Sequence, residues 1–389
     1  DGYHQALHVF FDPIRDFPAV AQGKAHILSF GPGVHEIGCM DLESDTAVLI
    51  DRDAYLYGSF RAVCAENIDI FGYGVIDGSR EVRTDESRLL LNDYTAPLPA
   101  DRENILRRLK QRHVLDGILR FYRCRHIRVE GPTLRDAATF AVIPAGCEDV
   151  TLENLKTIGM WRYNADGIDL FNCRDVRIRN CFLRNFDDCV VIKGIVGWDT
   201  TDNADILVEG CVVWCDWGRN LELGAETNAP AFRNILFRNC DCIHGSTAFL
   251  DIQHHNRADI GQVTFEDIRV EYTKHQLPDV FQNDMDAPYP TDTPVRHPLL
   301  FCLPIYRSGL FAEDGLNGQI HDITFRNIRI LTDAPEVPVP ESAFLGLDAE
   351  HTVERICIAG VTCNGKRLAT REELRLHINE FVRDVTILP

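Results

Sequence analysis

One short apolar pattern returns along most of the chain, and it restricts the fold more than any other feature. Two β-branched or apolar residues spaced by one are followed two positions later by Asn, Gly or Asp. The copies begin at Ile68-Asp69-Ile70 with Gly72, Ile127-Arg128-Val129 with Gly131, Val150-Thr151-Leu152 with Asn154, Val176-Arg177-Ile178 with Asn180 and Ile206-Leu207-Val208 with Gly210. They continue as Ile235-Leu236-Phe237 with Asn239, Val263-Thr264-Phe265 with Asp267, Ile323-Thr324-Phe325 with Asn327 and Ile356-Cys357-Ile358 with Gly360. The markers stand 23 to 33 residues apart, except for two intervals of 59 and 60. Alternation argues for strands, and the marker types tolerate a left-handed backbone. A period of this length fits one coil of a parallel β-helix, with each strand stacked ~4.8 Å from the next and inward residues forming ladders. A β-sandwich would need turn pairs every ~8–12 residues, and the leucine-rich signature is absent. The expected class is all-β, a single-stranded parallel β-helix with loop insertions.

A chain of 389 residues usually divides into domains, but each added coil extends one core, so a single long domain is admissible. The expectation is a solenoid over residues 29–389. Residues 1–28 lack the repeat and read as a cap or a connector to a missing domain. Insertions are expected at about 80–115, charged and partly helical, and at about 272–318, rich in Pro and Asp. Each long interval holds either a whole coil plus a loop or one large excursion, and such excursions commonly wall a cleft.

A net charge of -19 repels phosphate backbones, and no apolar run approaches the ~18 residues of a membrane span. Neither nucleic acid nor a membrane is therefore expected as a partner. The first residues carry neither a basic nor an apolar leader region, which leaves an exported and a cytoplasmic location both open. The fourteen cysteines include no CxxC pair, and His254-His255 has no partners at zinc-ligand spacing. No metal or cofactor is expected. Most thiols lie in or beside apolar runs and read as small buried hydrophobes, with a Cys211–Cys215 disulfide as the alternative.

The densest polar chemistry is Trp161-Arg162-Tyr163-Asn164-Ala165-Asp166-Gly167-Ile168-Asp169 followed by Asn185-Phe186-Asp187-Asp188-Cys189. Asp166 precedes Asp187 and Asp188 by about one coil, so all three can meet on one face. Glycoside hydrolysis needs one protonated and one ionised carboxyl group, and crowding raises the pKa of one member. Turn capping or a calcium site are the blander readings. All four tryptophans, Trp161, Trp198, Trp214 and Trp217, share this region, where indoles serve either as core or as platforms for the apolar faces of sugars.

These residues resemble the polygalacturonase and rhamnogalacturonase family and its clan relatives, the dextranases and isopullulanases. Asn164-Ala165-Asp166 is similar to the family's N-T-D and Asp187-Asp188-Cys189 to its D-D-C. Gly72-Tyr73-Gly74-Val75-Ile76-Asp77-Gly78 resembles its G-x-G-x-I-D-G. The resemblance implies a right-handed, pectin-lyase-like helix and an inverting glycosidase acting on a polysaccharide. Asp187 would be the general acid, with Asp166 and Asp188 deprotonating water. The family's G-H-G stands here as Gly218-Arg219-Asn220, and its R-I-K falls about where Asp251-Ile252-Gln253 stands. Losing those uronate-binding cations points to a neutral or mixed glycan. Asn164, Trp161, Lys193, Trp217, Arg219, Glu222, Glu226, Gln253 and His254 are the expected substrate-binding residues. The rival functions are a polysaccharide lyase or epimerase, which needs Lys193 or Arg219 as base, and a non-catalytic glycan-binding helix.

Overall fold

A computed structural model describes residues 6–81, 103, 117–196, 200–273, 295–308 and 315–389. The protein is a right-handed parallel β-helix, and among the described residues the single helix is the four-residue turn Phe17–Val20. Each of the nine repeat copies forms a strand of one twelve-stranded sheet, stacked in sequence order. The register joins Ile68, Ile127, Val150, Val176, Ile206, Ile235, Val263, Ile323 and Ile356 into one continuous inward ladder. The parallel strands of the other sheet form the remaining walls, with one antiparallel pair, Val361–Cys363 against Lys366–Leu368.

Two residue types make this stacking work. The inward apolar side chains meet their own kind one coil away: Phe237, Phe265 and Phe325 stack with ring centroids 4.8 and 5.3 Å apart, close to the strand spacing itself. The marker residues turn the corner with positive φ, from Asn180 at 53° to Gly72 at 131°. Glycine and asparagine adopt that region at the least cost.

Across both long intervals the strands are adjacent: Ile68 pairs directly with Ile127 and Val263 with Ile323, so no further strand of this sheet lies between them. Most of the expected insertions, 82–102 with 104–116 and 274–294 with 309–314, lies outside the described residues, as does Trp198. At the N-terminus, strand His26–Phe30 opens the sheet. The segment before it crosses the outside of several coils: Phe10 packs on Phe182, Asp12 contacts Asn154 and Lys156, Arg15 pairs with Glu130 and Phe17 stacks on Phe71. All fourteen cysteines are free thiols, Cys211 and Cys215 included. No helix among the described residues is long and apolar enough to cross a membrane.

Candidate functional site

Four neighbouring strands, Ile168–Phe171, Val190–Gly194, Arg219–Thr227 and Ala248–His254, build the wall that carries the acidic residues. Ile168, Val190, Leu221 and Leu250 pair in register and point into the core. Side chains alternate along a strand, so the next position, Asp169, Val191, Glu222 and Asp251, forms an outward row. Asp166, Asp187 and Asp188 lie in the turns just before the first two of these strands. The turns are laced together: Gly167 N donates to Asp188 O at 2.8 Å and Asp187 N to Ala165 O at 3.3 Å. Gly218 is demanded by the packing, because a Cβ there would collide with the carboxyl oxygens of Asp187 and Asp188.

Six carboxyl groups thus converge, Asp166, Asp169, Asp187, Asp188, Glu222 and Asp251, each at most 6% exposed. Two cations serve them. Lys193 Nζ lies 3.0 Å from Asp166 and 2.8 Å from Asp169. Arg219 Nε lies 3.2 Å from Asp251, its guanidinium 3.9 Å from Asp188, and its backbone N–H donates to Asp188 Oδ1 at 2.8 Å. Among the described residues the one donor to Asp187 is Asn164 Nδ2, at 3.5 Å, while Arg219 and Lys193 act on it through their charge. Burial raises the Asp187 carboxyl well above the usual range, and its neighbour Asp188 raises it further. Burial also raises Asp166, with Lys193 opposing, and takes Asp169 to about 7 and Asp251 to about 6. Burial likewise pushes Glu222 well up, with Asp188 adding to it. The cluster can therefore hold protonated and ionised carboxyls side by side, which acid–base chemistry needs. No three His, Cys, Asp or Glu among the described residues are arranged to hold a metal ion.

Of the other expected site residues, several join this cluster. Asn164 sits in the left-handed region at φ 58°, its amide turned to Asp187. Trp217 stacks on Phe186 at 5.5 Å and meets Tyr163 at 5.5 Å, beside the acidic turns, with the Arg296 guanidinium 5.0 Å over it. Glu226 adds its field to Lys193. Gln253 Nε2 donates to His255 Nε2 at 3.1 Å.

Two expected residues go elsewhere. Trp161 and Trp214 bracket the buried Arg184, at 5.1 and 4.4 Å, so their clustering reflects a cation–π stack as much as a sugar platform. His254 is completely buried, with Nδ1 2.8 Å from the Thr227 hydroxyl, and burial lowers its pKa to about 3. It serves the backbone turn rather than the acidic row.

Asp169, Asp251 and Arg296 were not expected. A signal for the first two was present: Ile168-Asp169-Leu170, Leu221-Glu222-Leu223 and Leu250-Asp251-Ile252 each place an acid between two inward apolar residues. On a strand that parity sends the acid outward. Nothing in the sequence marks Arg296, which follows a long excursion.

Residues 59–294 match the model of Glycosyl hydrolases family 28. A probable polygalacturonase of Arabidopsis thaliana is 24% identical over 127 residues, 32% of this chain and 26% of that protein. One of Vitis vinifera is 24% identical over 143 residues, 36% of this chain and 24% of that protein, so the matches span about a quarter of these relatives. Among solved structures, an exopolygalacturonase from Thermotoga maritima superposes with TM-score 0.61 at 17% identity, covering 93% of this chain and 84% of its own. An endo-xylogalacturonan hydrolase from Aspergillus tubingensis gives 0.56 at 16% identity, covering 92% of each chain.

Proposed function

The chain belongs to Glycosyl hydrolases family 28, and from that membership we propose that it is a glycosidase hydrolysing O-glycosidic bonds of a polysaccharide with inversion at the sugar carbon. The observation that carries the reading is the uneven sharing of cations among the catalytic trio. Asp166 and Asp188 each have a cationic partner within 4 Å, while Asp187 has none among the described residues and accepts from an amide. Asp187 is then the group that keeps a proton and delivers it to the leaving oxygen. Asp188, held by Arg219, carries negative charge and takes a proton from the attacking water, with Asp166 positioning that water. Addition of water across the bond leaves one new reducing end per cleavage.

The site favours a neutral or mixed glycan over polygalacturonate. Asp251 and Gln253 line the outer wall beside Arg219, and the guanidinium is already engaged by carboxylates. A uronate carboxylate placed there would face like charge. A lyase needs a free basic side chain, but Lys193 and Arg219 are each shared among acidic partners.

Product analysis over a panel of pectic, dextran-like and arabinan-type polysaccharides tests the reading. Reducing ends without ultraviolet-absorbing unsaturated ends are expected. Asp187→Asn should lower kcat by ~10²–10⁴-fold, the usual worth of a positioned acid, with the fold intact by circular dichroism. Near-full activity in that variant would remove Asp187 from its role.

A further inference from the structure

Glu222 lies at the back of the cluster, and the hydrolytic scheme above gives it no task. It is completely buried, whereas Asp188 keeps 6% of its surface exposed. Neither Glu222 carboxyl oxygen has a hydrogen-bond donor among the described residues. The closest cationic atom, Arg219 Nε, is 3.8 Å away and is already directed to Asp251 at 3.2 Å. The group that Glu222 does meet within hydrogen-bonding reach is the carboxyl of Asp188. Two buried carboxylates cannot satisfy one another, since both only accept. A proton between them removes one charge and supplies the missing donor.

The allocation of donors says which of the two holds it. Asp188 accepts the Arg219 backbone N–H at 2.8 Å, and the guanidinium, 3.9 Å from Asp188 and 3.8 Å from Glu222, is shared between them. Glu222 accepts no hydrogen bond among the described residues, so it is the partner free to donate one. The groups facing it are Asp188 from the turn before Val190–Gly194, Arg219 on its own strand, Asp251 on the next and Cys302 one strand further. Arg219 is the one cation in that list. We infer that Glu222 is a neutral acid whose proton is donated in a hydrogen bond to Asp188, making Glu222 a positioning residue for the carboxylate that activates water. It holds the Asp188 carboxylate in place and leaves that group's remaining lone pairs to accept from water. Burial of the Glu222 carboxyl, which pushes its titration well upward, agrees with this assignment.

The inference rests on the hydrolytic reading for its consequence, but its core, a protonated Glu222, can be tested without substrate. The infrared difference spectrum between the full-length protein and Glu222→Gln at neutral pH should contain the carbonyl band of a protonated carboxyl group. A difference showing only carboxylate bands overturns the proposal, whether or not any glycan is cleaved. On the glycan found to be hydrolysed, Glu222→Gln keeps an N–H donor toward Asp188 and should retain kcat within about tenfold. Glu222→Leu removes the donor and should lose at least a further tenfold in kcat, with KM changed less than threefold. The alkaline limb of log kcat against pH should also become shallower in Glu222→Gln, because one of two groups that must stay protonated is gone. Equal loss in both variants would mean that an ionised Glu222 is required, and an unchanged pH profile in the glutamine variant would make it a bystander; either result overturns the assignment. Thermal melts of both variants separate loss of positioning from loss of fold.

Discussion

Lys193 shows how little freedom a buried residue has in this cluster. Its ammonium lies within 3.0 Å of two carboxyl groups and 4.4 Å from the centre of the Phe140 ring, and the residue is buried. Asp169, one of those two, carries the test at this scale. Burial raises it from 3.8 to about 7, with Lys193 opposing, so the folded state binds a proton that the unfolded chain releases. A raised folded pKa contributes stability that is complete below 3.8 and is lost as pH rises through 7. The wild type should therefore melt progressively lower relative to Asp169→Asn as pH goes from about 4 to about 8. Calorimetry across that range decides it, and a pH-independent difference between the two proteins would refute the titration. The trio Asp166, Asp187 and Asp188 was readable from spacing alone, since 21 and 22 residues are nearly one coil. Asp251 was legible only as an acid between two inward apolar residues, and that parity sets it beside Glu222, one coil of 29 residues earlier, once the register is known.

Among the strands, the left-handed corners do the most to define the coil. The markers were visible as Asn, Gly or Asp after each apolar pair, and every one has positive φ. A second row of left-handed residues went unseen: Asn67, His126, Asp149, Asp175, Asp205, Asn234, Gln262, Asp322 and Arg355, each directly before the first inward residue of its copy. Six of these nine are Asn or Asp, the types that take this region most readily, but His126, Gln262 and Arg355 interrupt the pattern. Asn180, at φ 53°, tests the corner. Replacing it by glycine should leave the melting temperature nearly unchanged, and replacing it by valine should cost ~1–2 kcal/mol, the penalty of a β-branched residue in that region. Urea titration measures both, and equal costs would mean that the side chain rather than the backbone sets the preference. The strands Thr46–Ile50, where Val48 pairs with Ile70, and Val382–Leu388, where Val385 pairs with Ile356, escaped the repeat because Ile50 and Pro389 stand at the marker position in place of Asn, Gly or Asp.

Across the molecule, the segment before His26 acts as an outside fastening. Lys156 is buried on the coil wall and its charge is met by Asp12, 144 residues earlier in sequence. Sequence periodicity could not show this, since the segment belongs to no repeat. Asp12→Ala strands a buried ammonium, whereas Lys156→Met removes the charge and keeps the stem. The alanine variant should therefore be the less stable of the two by ~1–3 kcal/mol. Thermal unfolding of both checks it, and the reverse order would show that Asp12 contributes nothing as a counter-ion.

The direct pairing of Ile68 with Ile127 bears on how such a protein can change. Stacking records only which strand lies above which, and it is indifferent to the amount of polypeptide that loops out between them. Material can be added to or trimmed from the connections between strands without displacing the acid cluster by a single rung. The scaffold can thus lengthen or recompose those connections while the carboxyl groups stay anchored where they are.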